Sequence, residues 1–427
     1  MLQVNSTTNN TLQHALALDA NDALKTYREQ FYIPTQKDGS DVIYLCGNSL
    51  GLQPKSTKLY LQQELDDWAN LGVEGHTAAK NPWLHYHELL TNNMATVVGA
   101  LPTEVVVMNT LTTNLHLMMV SFYTPTNERY KILTDWNPFP SDSYALASQV
   151  QLHGYNPTES IVAPTPIGSS ATITTTQILE LLAEQGHQIA LVMIGTVNYY
   201  SGQVYDMATI TKAAHSKGCK VGFDLAHAVG NIPMQLHQTG ADFAVWCTYK
   251  YLNSGPGSLA GCFVHERHHH NFKGNRLTGW WGTNKQSRFA MLPQFDAIPT
   301  AEAWQLSNPP ILSMAAIHAS LQLFAAAGMV NLIKKSEELT SYLINLLQQI
   351  PTTNIEIITP IVPEQRGCQI SLRIKNNGKQ LHTTLTSKGI VTDWREPDVI
   401  RVAPVPLYNT FEDVYRFVAI LQESIEI

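Results

Sequence analysis

Cysteine is scarce and unorganised. The chain has five, Cys46, Cys219, Cys247, Cys262 and Cys368, an odd number with no C-x-x-C spacing. That pattern argues against a disulfide framework or a cysteine-ligated zinc site and points to reduced thiols in a cytoplasmic protein. Long apolar runs are missing too, since none approaches the roughly 20 residues that a membrane-spanning helix needs. The opening stretch MLQVNSTTNNTLQHALALDAND lacks the basic start and apolar core of a secretory leader. There is no excess of positive charge: 27 Lys plus Arg stand against 34 Asp plus Glu, and the formal charge is -7. With no long basic block either, nucleic acid is not an expected partner. Residues 254–258, Ser-Gly-Pro-Gly-Ser, are glycine-rich but lack the G-x-x-x-x-G-K-[ST] pattern of a P-loop. No internal repeat or low-complexity tract occurs.

What is present is a chain of 427 residues, long enough for two or three domains and a large core. Helical spacing covers residues 11–31 and 54–71, with a short strand at 42–46 and a glycine-bounded turn at 47–51 between them. Residues 72–82 read as a loop holding His76, and a helix is expected from there to Val98. Short apolar runs at 105–108, 130–134, 189–194, 221–224 and 243–247 then alternate with helical segments, and polar residues gather just after each run. This is the pattern of parallel βαβ units, whose ligands bind at the carboxyl edge of the sheet. From residue 311 the texture changes to two long amphipathic helices, alternating strands and a closing helix. The expected organisation is an α/β fold with a mostly parallel sheet and a smaller α+β domain. An N-terminal segment (1–65) joins the small domain, the large domain spans 66–310, and the small domain spans 311–427.

Lys250 stands between the apolar run 243–247 and the turn 254–258, with Trp246, Tyr249 and Tyr251 around it in sequence. Burial disfavours an ammonium, and a lysine in apolar surroundings suits Schiff-base chemistry. A lysine snorkelling from a strand end is the alternative. Asp224 bears on the choice, because a carboxylate ending a buried strand needs a cation, and the pyridinium nitrogen of pyridoxal phosphate is one. The turn Asn109-Thr-Leu-Thr-Thr-Asn114 follows a strand and precedes a helix expected at 115–122. Its hydroxyls and backbone N–H groups suit a phosphate, or simply cap the helix through Thr112, Thr113 or Asn114. Arg401, inside an apolar run, fits either a substrate carboxylate or a structural salt bridge. Ser49, in the 47–51 turn, reads locally as a turn residue. One literal H-E-x-x-H, formed by His265, Glu266 and His269, would bind zinc in a metalloprotease if helical, although no third ligand is evident and the run is generally His-rich.

Taken together, these stretches resemble the kynureninases, a family of fold-type I pyridoxal phosphate enzymes. The resemblance runs from about Tyr44 to the C-terminus. It rests on GNSLGL (47–52), NTLTTNLHLMM (109–119), FPSD (139–142), VGFDLAHAVGN (221–231), TYKYLNSGPG (248–257), SNPPIL (307–312), RGCQ (366–369) and IRVAPVPLYN (400–409). It implies pyridoxal 5'-phosphate held as a Schiff base by Lys250, with Asp224 on the pyridinium nitrogen and Asp142 nearby. Leu111, Thr112 and Tyr249 are implied at the phosphate. Phe139 would stack on the ring, with Pro140 and Ser141 of the same stretch at the cofactor, and His227 would lie beside it. Trp280 and Asn308 would complete the pocket, part of which comes from the other subunit of a homodimer. Arg401 would take the substrate α-carboxylate, and Ser49 and His76 would line the substrate side. The implied reaction is hydrolysis of L-kynurenine to anthranilate and L-alanine, or of 3-hydroxykynurenine to 3-hydroxyanthranilate, with Tyr249 as a proton shuttle. One departure stands out: where the family commonly reads Gly-Trp-x-Gly-His, this chain has Gly279-Trp-Trp-Gly-Thr283, and the missing histidine is associated with the choice between those substrates. An aminotransferase or desulfurase of the same fold type would share Asp224 and Lys250, and a cofactor-binding protein without turnover is a further alternative.

Overall fold

The computed structural model describes residues 10–425. Residues 1–9, the first part of the stretch read for a leader and of the N-terminal segment, lie outside the described residues, as do 426–427 at the end of the small domain. In chain order the strands are β1 (Ile43–Tyr44), β2 (Val105–Met108), β3 (Lys131–Leu133), β4 (Ile161–Val162), β5 (Ile189–Gly195), β6 (Lys220–Asp224), β7 (Phe243–Cys247), β8 (Ala260–Val264), β9 (Ile355–Ile357), β10 (Ile370–Ile374), β11 (Ile390–Val391), β12 (Asp393–Arg395) and β13 (Val399–Val402).

The main sheet has seven strands in the order β2-β8-β7-β6-β5-β3-β4. Strands β7, β6, β5, β3 and β4 pair in parallel, while β8 is antiparallel to both β2 and β7. The reversal follows from the connection. Residues 248–259 join β7 to β8 directly, and without a crossover helix the second strand must return antiparallel. Every residue of β2, β7 and β8 is buried, which explains why these runs are continuously apolar. Alternate side chains still separate by face: Val105, Val107, Ala244 and Trp246 enter one core cluster, and Val106, Met108, Phe243 and Val245 enter the other.

The smaller part carries an antiparallel sheet, β12-β13-β10-β9, and a parallel pair, β1-β11. Ala15 and Leu45 of the N-terminal segment share its core with Leu343, Ile370 and Phe417. Helix Ile311–Ala327, expected with the small domain, instead places Met314, Ile317 and Leu321 in the larger core. The helix expected over 11–31 is also divided. It stops at Asn21, because the Asp22 carboxylate accepts the Leu24 N–H (2.8 Å) and an ion pair from the buried Lys335 (2.7 Å), and a 3-10 turn, Lys25–Gln30, follows. The expected loop 72–82 contains a short helix, Gly75–Ala78, with His76 in it. Among the described residues no single helix is long and apolar enough to cross a membrane.

Candidate active site

The strand ends build one cavity. Asp224 ends β6, Asp135 follows β3, and Val197, Asn198 and Tyr199 follow β5. Two helices point their N-termini at the same place. The first, Leu111–Phe122, starts four residues earlier than the sequence pattern suggests, because Asn109 takes a positive φ of 49° and turns the chain at once after β2. Its N-cap is Thr110, and no side chain caps it. The second, Pro140–Leu152, begins after Phe139 and is likewise uncapped by any side chain. The hydroxyls of Thr112 and Ser141, one from each first turn, lie 2.9 Å apart. First-turn N–H groups thus face the cavity with no side-chain acceptor, which is the arrangement of an anion site.

Behind this cradle sits a row of buried carboxyls, Asp135, Asp142 and Asp224. Burial pushes Asp135 up to about 7, with the Asn198 amide (3.2 Å) opposing. Burial also raises Asp142 well above the usual carboxylate range, reinforced by the neighbouring charge of Asp224. Asp224 is raised less far by burial, because the Ala226 N–H (2.6 Å) and Lys250 stabilise its charge. In this pair Asp142 holds a proton more tightly than Asp224.

Lys250 supplies a cation within the cavity, and its Nζ donates to His227 Nε2 at 2.9 Å. Burial and the charges of Lys250, Arg401 and Arg395 hold His227 far below its ordinary pKa, so its imidazole is neutral. Lys250 Nζ also lies 5.9 Å from the Phe139 ring centre. The surroundings expected from sequence are only partly right: Tyr249 lines the cavity, but Trp246 packs over Gly261 within the sheet and Tyr251 is buried beside His227 and Cys368. Strand alternation explains the difference, since it sends Trp246 into the sheet core.

The sequence relatives match this chain over nearly its whole length. The chain is 57% identical to the kynureninase of Myxococcus xanthus over 408 residues, which cover 96% of each protein. It is 52% identical to that of Koribacter versatilis over the same shares, and 51% identical to that of Flavobacterium psychrophilum over 97% and 98%. Residues 332–421 match the family described as kynureninase C-terminal domain. The chain belongs to the kynureninase family. It is a pyridoxal phosphate-dependent hydrolase. Among solved structures, the fold matches a C-DES variant with glycine covalently linked to its pyridoxal phosphate (TM-score 0.78, 15% identity, 93% of this chain and 99% of that one). It also matches the Escherichia coli cysteine desulfurase CsdA (TM-score 0.75, 16% identity, 94% and 98%).

The cavity fits the cofactor on its own evidence. Asp142 Oδ1 and His227 Nδ1 are buried polar atoms without a protein partner. Asp224 has a charge to offer a pyridinium, the two uncapped helix starts suit a phosphate, and Phe139, 42% exposed, leaves a ring face open. Of the residues expected at the cofactor, Leu111, Thr112, Phe139, Ser141, Asp142, Asp224, His227, Tyr249 and Lys250 all line the cavity. Asp135, Asn198 and Tyr199 line it as well, and the sequence had not singled them out. Their signal was faint: each lies in a polar loop just after a strand, where turn residues are ordinary.

Six expected residues lie elsewhere. Pro140 is the exposed first residue of its helix, where it fixes φ and faces solvent. Trp280 is 42% exposed in a 3-10 turn and its Nε1 donates to the Arg288 carbonyl (3.3 Å); Asn308 is exposed in an irregular segment. His76 packs edge-on against Trp83 with Nδ1 at the Val73 carbonyl (2.9 Å), and Ser49 is half-buried in a turn closed by its own N–H on Cys46. Arg401 is not at the cavity wall. Its guanidinium pairs with Asp393 and donates to the Tyr199 carbonyl, so the structural salt bridge foreseen as the alternative is formed. The H-E-x-x-H reading is overturned by geometry. His265 caps a 3-10 turn, Glu266–His268, so no α-helical face forms, and His269 turns back to the Val264 carbonyl (2.9 Å). His265 instead approaches Glu104 and His237, but Glu104 already accepts the Leu101 and Glu266 N–H groups, and His265 Nδ1 already accepts that of Arg267.

Proposed function

We propose that this enzyme cleaves the Cβ–Cγ bond of L-kynurenine, or of its 3-hydroxy form, releasing anthranilate or 3-hydroxyanthranilate together with L-alanine, with Lys250 as the reacting amine. The observation that carries the reading is a single amine set in one cavity with an aspartate at a strand end and two uncapped helix starts, in a chain of this family. Bound here, pyridoxal phosphate supplies a carbonyl for amines and a protonated ring that withdraws electrons from the substrate Cα. Asp224 keeps that ring protonated, and Thr112, Ser141 and the helix N–H groups hold the phosphate. Lys250 moves the proton at the substrate Cα, with the neutral imidazole of His227 accepting its hydrogen bond and fixing where Nζ points. Burial pushes the Tyr249 phenol up, so it keeps its proton and serves as a donor when water has added at the γ-carbonyl and the carbon–carbon bond breaks.

Trp280 and Asn308 complete the cofactor pocket of a second copy. Both are exposed, and Trp280 stands among other exposed apolar side chains, Phe289, Met291 and Leu292, a patch suited to a homodimer contact. Arg401 anchors the substrate carboxylate, and Ser49 and His76 belong to the substrate side of the assembled site. The hydroxyl of Thr283 is engaged with the backbone of Asp296 (3.1 and 3.3 Å), so this position offers no imidazole to the substrate ring. Five free cysteines, four of them buried, support work in a reducing cytoplasm.

The direct test supplies L-kynurenine to the purified, cofactor-loaded protein and follows anthranilate fluorescence and alanine. Lys250→Ala should abolish both, and normal turnover by that variant would sink the assignment. Glutamate-dependent amino transfer without anthranilate would favour an aminotransferase instead.

A further inference from the structure

Arg401 lies on β13 directly opposite Asp393 of β12, so the two side chains share a face of the small sheet. Arg401 is 1% exposed, and its guanidinium is held from two sides, by the Asp393 carboxylate and by the Tyr199 carbonyl (2.8 Å) at the cavity wall. Its Nε is buried and has no partner. A guanidinium matched one-to-one with a carboxylate presents no net charge, which makes it a poor anchor for a further anion. Arg395 alters this balance. It follows Asp393 by two positions on β12, and its Nη2 donates to the same Oδ2 at 3.0 Å. Two guanidiniums therefore share one carboxylate, and the group keeps a single net positive charge beside the cavity. Crowding two cations is unfavourable in the protein alone: burial lowers the Arg401 pKa, Asp393 opposes, and Arg395 lowers it further. An arriving anion relieves that repulsion.

We propose that Arg395 is a positioning residue for substrate recognition, supplying the surplus positive charge that lets Arg401, already paired with Asp393, take the substrate α-carboxylate. This rests on the reading of Arg401 as the carboxylate anchor. Arg395 acts through Arg401 and Asp393, not by touching the reacting atoms, and it determines affinity for amino acids over amines of the same shape.

The experiment compares steady-state kinetics of the holoenzyme and its Arg395→Gln, Arg395→Lys and Arg401→Gln variants, across a series of salt concentrations, together with inhibition by a substrate analogue lacking the α-carboxylate. Arg395→Gln should raise KM by about tenfold, with a smaller change in kcat, and flatten the salt dependence of kcat/KM. Arg395→Lys should recover most of the loss, and the inhibition constant of the carboxylate-free analogue should stay within about twofold of wild type. A purely structural role would weaken the analogue and the substrate alike. If Arg401→Gln raises KM while Arg395→Gln does not, this proposal fails and the anchor stands. If Arg401→Gln leaves KM unaltered, the anchor reading fails and the proposal goes with it. Should Arg395→Gln not fold, Arg395→Met permits the same comparison.

Discussion

Gly51 lies directly against the backbone of Lys250. Its N–H donates to the Tyr249 carbonyl (2.8 Å), and a β-carbon at Gly51 would stand 2.3 Å from the Lys250 carbonyl oxygen and 2.3 Å from Asn253 Oδ1. The turn at 47–52 is therefore the outer wall of the lysine loop, which gives that stretch a mechanical role.

Gly51→Ala should push the lysine loop inward. Overpacking of this kind costs about 1–3 kcal/mol, and a misplacement of about 1 Å at a reacting group costs about a hundredfold in rate. Thermal unfolding and anthranilate formation would read the two effects separately. A variant with wild-type values for both would show that the wall yields freely.

Asp135 gives the apoprotein a pH dependence. Burial lifts its folded pKa to about 7, above the ordinary 3.8 of an aspartate, so the folded state holds the proton more tightly. The stability this confers is fully present below 3.8 and is lost as pH rises through about 7. Asp135→Asn keeps an acceptor for Asn198 and removes the titration. Its apoprotein should melt higher than wild type at pH 8 and show a flatter profile between pH 4 and 8, by up to a few kcal/mol as an order of magnitude. Parallel profiles for the two proteins would contradict this.

Trp280 and Asn308 should act in the neighbouring subunit. Mixing Lys250→Ala with Asn308→Ala subunits gives hybrids in which one site combines an intact lysine with an intact asparagine from across the interface. Activity should rise well above that of either parent. No recovery on mixing would place Asn308 in its own chain's site or outside the site altogether.

Metal removal should be without effect. The imidazoles of His265 and His269 point to different partners, and the proposed reaction runs on Lys250 without a metal, so dialysis against a chelator should leave anthranilate formation intact. Stoichiometric zinc needed for turnover would reverse that conclusion.

Asp224, Lys250 and Thr112 were legible in the sequence because each follows an apolar run that could only be a buried strand, and the change from apolar to polar marks the sheet's ligand edge. Asp135, Asn198 and Tyr199 were not. They meet because β3, β5 and β6 are neighbours, and strand order is not written in any local pattern. The reversal of β8 was hidden for a related reason, since a buried strand reads the same in both directions. The partner of Arg401 was equally silent, because Asp393 meets it only through the register of β12 on β13. Trp280, Asn308, Ser49 and His76 came from family resemblance, which carries a residue's role but not the chain on which that role is exercised.

The pairing of β1 with β11, and of helix Leu12–Asn21 with helix Phe411–Ile425, also imposes an order on the birth of the molecule. A ribosome adding roughly 5–20 residues per second leaves the first strand waiting on the order of tens of seconds for its mate. The main sheet is complete in sequence long before that, and the stretch from β1 to Gly51 is anchored at both ends, by β11 at Ile43 and Tyr44 and by the Tyr249 carbonyl at Gly51. The wall beside Lys250 thus takes one of its two anchors from a strand that leaves the ribosome well after the lysine itself.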